Sequence, residues 1–183
     1  SRRFAHDPIS FEALSIILIA ATRPIPWDFV GDHGGHLNDL YIIVNAVEGL
    51  DSGIYVFLYT ECALYPLKMG LFREQAGHLA LGQELAADAS VNVYFLADLD
   101  TILDKSGSRG YRISQMEAAI MGGRLYLAAY ALGFGATGLT FFDDDVTRFF
   151  SPHAEGKSVM FLTSLGVAPK RRLPQPQMGI PRT

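Results

Sequence analysis

The chain has 183 residues, of which 49 % are hydrophobic and 11 % aromatic, and its formal net charge is -4 at pH 7. This composition can fill the core of one domain spanning residues 1–183, and the negative charge excludes a surface that is basic throughout, so we expect no nucleic-acid partner. The longest early apolar run, Leu14 to Ala21, is too short to span a bilayer, so we expect no membrane partner. The single cysteine, Cys62, excludes an internal disulfide and is typical of a cytoplasmic protein.

The first third of the chain predicts one helix followed by a hairpin. Ser10 is a suitable N-cap for a helix through about Thr22, because apolar residues repeat every three or four positions after it. The Pro24 region ends this helix, since residues before proline avoid helical angles. The β-branched and aromatic runs Leu40 to Val47 and Gly53 to Thr60 are predicted to pair as a hairpin with a longer loop.

The middle and the end of the chain predict further strands and one more helix. The stretch around Pro66–Gly70 is predicted to be irregular, and a helix is predicted over about Arg73 to Ala89. The apolar runs Val91 to Ala97 and Ser158 to Gly166 are predicted to be buried strands. The tail from Ala168 contains three prolines and is predicted to be an extended arm.

The segment "ISQMEAAIMGGRLYLAAYAL", Ile113 to Leu132, predicts a long helix that is apolar on nearly all sides. Glu117 and Arg124 are its only interior charges, so we expect burial in the core or between two subunits. Gly122 and Gly123 each cost about 1 kcal/mol relative to alanine, which favours close packing against them. Another backbone, a flat ligand or tight helix packing would each satisfy this requirement.

The segment "ALGFGATGLTFF" contains Gly133, Gly135 and Gly138 in the G-x-G-x-x-G order of a dinucleotide-binding turn. That turn follows a strand and opens a helix, whereas these glycines follow a helix and precede an extended run, Leu139 to Phe142. Gly133 is therefore predicted to end the helix. The acidic run Asp143 to Asp145 suits the first turn of another helix.

Side-chain motifs for nucleophilic, phosphate-loop or zinc chemistry are not found in the sequence. His33 and His36 form an H-x-x-H pair in a glycine-rich setting, which we interpret as a solvated loop rather than a metal site. If the chain is an enzyme, a cofactor is therefore expected to supply the chemistry. Basic residues near both ends could converge on a phosphate, or they could be solvated tails.

Three segments resemble the nitroreductase family of flavoproteins, and in particular its branch related to the SagB-type dehydrogenases. They are the opening "SRRFAHDPIS", the stretch Arg109 to Phe150, and "LGVAPKRRL" after the last predicted strand. The resemblance implies an α+β fold with a central, mostly antiparallel sheet flanked by helices. It also implies an intertwined homodimer, with an extended C-terminal arm and one FMN in each of two interface sites.

The resemblance also assigns cofactor-binding residues, position by position. Arg2 matches a basic residue near the pyrimidine edge of the flavin, and Arg3 belongs to the same basic opening, which holds the phosphate. Lys170 and Arg172 match phosphate ligands in the closing segment. The loop that faces the flavin ring, including an N–H that reaches flavin N5, is matched by Gly138, Leu139, Thr140 and Phe141.

The resulting functional prediction is an FMN-dependent oxidoreductase, with NAD(P)H or another electron donor and an unknown small-molecule acceptor. The resemblance assigns no catalytic side chain. The Leu-Lys-Tyr motif of the peptide oxidases in this branch is not found, so their activity is not transferred. Because the sequence shows only part of the family's Arg-x-Ser phosphate motif, the alternative is a dimeric binding protein that has lost flavin or turnover.

Overall fold

The computed structural model of the chain describes residues 3–26 and 35–169. Within these residues the chain forms six helices: α1 Phe11–Ala21, α2 Arg73–Leu79, α3 Glu84–Asp88, α4 Leu99–Ser106, α5 Arg109–Ala131 and α6 Asp143–Phe150. It also forms eight strands: β1 Ile9–Ser10, β2 Asn38–Val44, β3 Val47–Glu48, β4 Gly53–Leu58, β5 Ala63–Met69, β6 Val91–Ala97, β7 Gly135–Gly138 and β8 Ser158–Gly166.

Six of the strands form one sheet in the order β5-β4-β2-β6-β8-β7, and every neighbouring pair is antiparallel. The short strands β1 and β3 pair in parallel beside it. The interior strands β6 and β8 have the bounds expected from their apolar runs, and β2 pairs with β4 as the predicted hairpin. The prediction of an α+β fold with a mostly antiparallel sheet is confirmed.

Helices cover both faces of this sheet and define two cores. On one face, α1 and α5 pack against the strands through residues such as Leu14, Met121 and Leu125. On the other face, α2, α3 and α6 pack through residues such as Leu79 and Phe150. Every residue of β6 is buried, which explains why its sequence is a continuous apolar run rather than an alternating one.

Local rules predicted the first helix well. α1 begins after Ser10, whose hydroxyl oxygen accepts a hydrogen bond from the N–H of Ala13 at 3.1 Å. This bond satisfies one of the unpaired donors of the first helical turn. The helix ends at Ala21, with Thr22 as its C-cap, as the proline-rich segment after it predicted.

Two predictions for the middle of the chain were wrong. The stretch around Pro66–Gly70 is mostly ordered as β5, because an edge strand tolerates a proline and the register shifts opposite it, between Ile54 and Tyr55. The helix predicted over Arg73 to Ala89 is two helices, α2 and α3. The chain leaves the helical path at Leu81 and Gly82, whose φ angles are +57° and +71°.

The region around the glycine motif also differs in detail. Gly133 has a φ angle of +81° and ends α5, as predicted. The strand that follows is β7, on the glycines themselves, rather than the predicted extended run Leu139 to Phe142, which leaves the sheet. α6 then begins at Asp143, as predicted, whereas α4 and the first turn of α5 were not expected from the sequence.

None of the helices in the described residues combines the length and apolar character that crossing a membrane requires.

Candidate functional site

The first and last described segments of the chain run side by side. The N–H of Ala5 donates to the carbonyl oxygen of Val167 at 2.8 Å, in an isolated antiparallel bridge. Phe4 is buried against the same strand end, since a Cβ added to Gly166 would lie 2.9 Å from its ring. The exposed Arg3 therefore lies beside the point where the chain leaves β8.

Three of the predicted basic cofactor-binding residues have no described position. Arg2, Lys170 and Arg172 lie outside the described residues. What the structure does place is the described backbone next to them: the bridge from Ala5 to Val167 joins the first and last described segments, at the end of β7 and β8 where Gly135 pairs with Gly166.

The predicted ring-contacting residues Gly138 to Phe141 lie at the other end of β7. Gly138 is paired with Thr163 of β8, and its N–H donates to the hydroxyl oxygen of Tyr126 on α5. A Cβ at Gly138 would lie 3.3 Å from both the Phe161 ring and the Tyr126 hydroxyl. The tight packing of its own chain therefore favours glycine at this position.

The segment Leu139 to Phe142, which we call the 139–142 loop, is held from two sides. The N–H of Leu139 donates to the carbonyl oxygen of Leu162 at 3.2 Å, and the N–H of Phe142 donates to that of Leu79 at 2.9 Å. The side chains of Leu139 and Phe141 pack against the core that contains α2 and α6. The loop is therefore fixed in place by the sheet on one side and by α2 on the other.

Two backbone donors of this loop take no part in these contacts. Within residues 3–26 and 35–169, no acceptor lies within hydrogen-bonding range of the N–H of Thr140 or of Phe141. Buried backbone donors are rarely left without a partner. Thr140 is exposed and Phe141 is half-buried, so solvent or a ligand can satisfy these two donors. Two free N–H groups beside half-buried apolar side chains suit the edge of a flat aromatic ring that carries acceptor atoms.

The two parts of the site are separated by one short strand. Gly135, at the start of β7, pairs with Gly166, the residue before the Ala5–Val167 bridge, whereas Gly138 begins the loop side. Four residues of strand place the two ends about 10 Å apart. An elongated cofactor with a phosphate at one end and a ring at the other fits this spacing.

Sequence comparison identifies the family. The sequence model of the nitroreductase family matches residues 1–166. The chain belongs to the nitroreductase family. No curated protein matches the sequence.

Three solved structures show how far the nitroreductase likeness extends. A candidate nitroreductase from Anabaena variabilis has a TM-score of 0.81 and 29 % identity, over 91 % of this chain and 36 % of that one. A chain of the E. coli microcin synthetase McbBCD complex has a TM-score of 0.75 and 16 % identity, over 92 % and 68 %. An FMN-dependent nitroreductase from Clostridium difficile has a TM-score of 0.61 and 15 % identity, over 93 % and 83 %.

The second and third likenesses show the shared fold alone, because their identities are so low. The chain spans about a third of the length of the Anabaena protein, 36 % by alignment. The family model shows that the chain is a nitroreductase-family member, and the structural likenesses show its fold. The general activity of that family is oxidoreduction.

Sequence reasoning missed three residues that contact β7 or the 139–142 loop. Tyr126 accepts from Gly138, and Tyr130, one turn later on α5, donates to the carbonyl oxygen of Ala136 at 3.1 Å. These tyrosines attach β7 to the long helix at two points. Gln83, on the connection between α2 and α3, contacts Thr140. A tyrosine pair at i, i+4 on an apolar helix was visible in the sequence, whereas nothing near Gln83 indicated its contact.

A second polar cluster lies on the opposite part of α5. Glu117 is only 1 % exposed, and its Oε2 accepts from the N–H of Leu37 and of Asn38 at 2.9 Å and from Nδ2 of Asn38 at 2.8 Å. His36 lies with Nδ1 3.6 Å from Oε1 and stacks on Tyr59 at 4.1 Å between ring centroids. Burial, with smaller contributions from the nearby carboxylates, raises the pKa of Tyr59 above its ordinary value.

This cluster stabilises the fold. The three hydrogen bonds satisfy the Glu117 carboxylate and fix the start of β2. Of the sequence's histidine pair, His33 lies outside the described residues and His36 packs against Tyr59 and Glu117.

Proposed function

We propose that this chain is an FMN-dependent oxidoreductase that takes electrons from NAD(P)H or another donor and passes them to a small-molecule acceptor. The observation that carries the proposal is the pair of N–H groups of Thr140 and Phe141, which find no acceptor in residues 3–26 and 35–169 and lie one strand length from the Ala5–Val167 bridge. Family membership and the FMN-dependent fold neighbour support the choice of cofactor.

In this proposal the joined ends of the chain hold the phosphate. Arg3 is exposed beside the Ala5–Val167 bridge, and Arg2, Lys170 and Arg172 add positive charge in the adjoining segments. Charge-assisted hydrogen bonds from several basic groups neutralise a phosphate dianion. A single charge change at one of them is therefore expected to weaken cofactor binding without preventing folding.

The 139–142 loop orients the flavin ring. When bound, FMN supplies hydride and electron transfer at its ring. A backbone N–H from Thr140 or Phe141 donates toward the ring edge and fixes its position, because a fixed donor costs no reorganisation when charge develops. The apolar side chains of Leu139 and Phe141 exclude water from that edge.

We further propose that two copies form a homodimer that completes the site. One face of α5 is exposed and apolar: Met116 is 44 % exposed, Leu127 is 72 % and Tyr130 is 51 %, with Gly123 between them. Ile16 and Ile19 of α1, which packs against α5, extend this surface. An apolar stripe of this size on a surface helix is typical of a subunit interface.

Four more specific predictions from the sequence belong to this proposal. The SagB-type branch, the use of NAD(P)H, the cytoplasmic location and the proline-rich arm from Ala168 stay predictions. The arm lies outside the described residues from Lys170 onward. In the proposed dimer it wraps onto the second copy, where its prolines suit an extended path.

The test is the colour and the redox behaviour of the purified protein. We expect a yellow protein with flavin absorbance bands, or a colourless one that quenches FMN fluorescence on titration, and bleaching under anaerobic NADH or NADPH. A preparation that ignores added FMN would instead favour the dimeric binding protein. Yellow protein that neither nicotinamide bleaches would remove the nicotinamide step and leave another donor. The molecule that then reoxidises bleached protein identifies the acceptor class.

A further inference from the structure

The side chain of Gln83 ties the connection between α2 and α3 to the 139–142 loop. Its amide nitrogen donates to the carbonyl oxygen of Ala80 at 2.7 Å. The same nitrogen lies 3.1 Å from the hydroxyl oxygen of Thr140 and 3.3 Å from the carbonyl oxygen of Thr140. A primary amide has two hydrogens, so one can serve Ala80 while the other serves Thr140.

The contact with the Thr140 carbonyl fixes more than one atom. The peptide between Thr140 and Phe141 is planar and trans, so its C=O and its N–H point in opposite directions. Because the C=O faces Gln83, the N–H of Phe141 faces away from Gln83. The loop's other backbone contacts hold the 138–139 peptide, through the N–H of Leu139, and the 141–142 peptide, through the N–H of Phe142, but not this one.

We propose that Gln83 is a positioning residue that sets the direction of the Phe141 N–H, and so decides whether this peptide presents a donor or an acceptor to the flavin ring. This inference rests on the proposed FMN site. Without Gln83 the peptide can rotate, and rotation would present the Thr140 carbonyl where the N–H stood. Hydride acceptance at a ring nitrogen is favoured by a donor and disfavoured by a carbonyl oxygen.

The decisive variant is Gln83→Glu, which keeps the size of the side chain and removes both amide hydrogens. Its carboxylate repels the Thr140 carbonyl and attracts the Phe141 N–H, since a charge-assisted hydrogen bond is the stronger one. Gln83→Leu removes the contact without attracting the N–H, so its effect should be intermediate. The matched control is Gln75→Glu, an exposed position on α2 with the same change of charge.

The first readout needs no cofactor. In apoprotein labelled with nitrogen-15 at phenylalanine, the Phe141 amide proton is expected to shift downfield in Gln83→Glu and to stay in place in Gln75→Glu. An unchanged Phe141 amide in a folded Gln83→Glu protein would overturn the positioning role.

The second readout uses FMN labelled with nitrogen-15 at N5. In the wild type we expect the N5 resonance to show a hydrogen-bonded nitrogen, and in Gln83→Glu to move toward the value of FMN without a donor. The rate of flavin reduction by NADH should fall about tenfold. The FMN Kd and the KM for NADH should change by less than about threefold, because the phosphate-binding ends are untouched.

These outcomes separate the inference from the proposed function. If wild-type protein does not bind FMN, the proposed function fails, while the amide readout still decides the orientation of the peptide. If wild type binds and reduces FMN, and Gln83→Glu keeps the same N5 resonance and reduction rate, the positioning role is wrong and the proposed function stands. Equal losses in Gln83→Glu and Gln75→Glu would also overturn it, because charge alone would then explain the effect.

Discussion

The two faces of α5 carry similar residues and have different environments. On the inner face, Glu117 and Gly122 are buried, and a Cβ added to Gly122 would lie 2.7 Å from the Phe161 ring. On the outer face, Gly123 would meet nothing within 4 Å and Leu127 is 72 % exposed. Residues of the same chain cover the inner face of α5 and explain why it is apolar. The apolar residues of the outer face are uncovered, and we propose that the second copy covers them.

The largest effect is expected on the inner face, at Glu117. Replacement by Leu leaves the N–H groups of Leu37 and Asn38 without an acceptor in the core, which we expect to cost about 3 kcal/mol or more. Urea unfolding at pH 7 measures the loss. Glu117→Gln, which keeps an acceptor oxygen, should lose less. Equal stability of Glu117→Leu and wild type would show that these hydrogen bonds do not stabilise the start of β2.

The next effect is expected on the outer face, at Leu127. Leu127→Arg places a charge at the centre of the proposed interface and should weaken self-association about a hundredfold, since central apolar anchors dominate such contacts. Sedimentation velocity over a range of concentrations measures the change. The urea midpoint of the monomeric variant should lie near that of a Leu71→Arg control, an 82 % exposed leucine outside α1 and α5. A wild type that is monomeric at all concentrations would contradict the dimer.

A smaller loss is expected from Gly122→Ala. The new methyl group must displace the Phe161 ring, and overpacking of this kind costs about 1–3 kcal/mol, of which better helix propensity returns about 1 kcal/mol. Thermal unfolding should show a lower midpoint. An additional Phe161→Leu substitution should recover part of the loss, and a failure to recover would mean that Phe161 is not the obstacle.

The smallest effect, and the only gain, is expected from Gly123→Ala. With open space beside it, alanine should stabilise the helix by up to about 1 kcal/mol. This is best measured in the Leu127→Arg background, where no subunit contact can interfere. If the same substitution weakens association in the Leu127 protein, then close approach of the second copy explains why glycine is found at this position.

Much of the fold could be predicted because its causes are local. The Ser10 cap, the apolar runs of β6 and β8, the glycine stop at Gly133 and the acidic first turn of α6 each depend on a few adjacent residues. Predictions failed where a distant partner decided. Pro66 joins a strand because β4 offers pairing at an open edge. The 73–89 region breaks because Gly82 turns the chain and brings Gln83 to Thr140.

Some residues of the candidate site could be named from the sequence, and others could not. The family resemblance named Gly138 to Phe141, and the structure places them at one end of β7, with Arg3 near the other. The tyrosine pair was visible in the sequence, but the contacts of Gln83 with Thr140 and of Tyr126 with Gly138 were not, because they join residues 57 and 12 positions apart along the chain. No local pattern records such contacts.

By itself, the sequence determined the bounds of α1, β6 and β8, the end of α5 and the start of α6, since capping, periodicity and backbone propensity act over a few residues. It also showed that α5 is apolar on nearly every side. Only the tertiary structure decided which side of α5 is covered by other described residues, which of its glycines is packed, and which backbone donors of the 139–142 loop find no acceptor among those residues. These properties depend on what lies opposite each residue, and that is set by long-range pairing and packing rather than by neighbours in sequence.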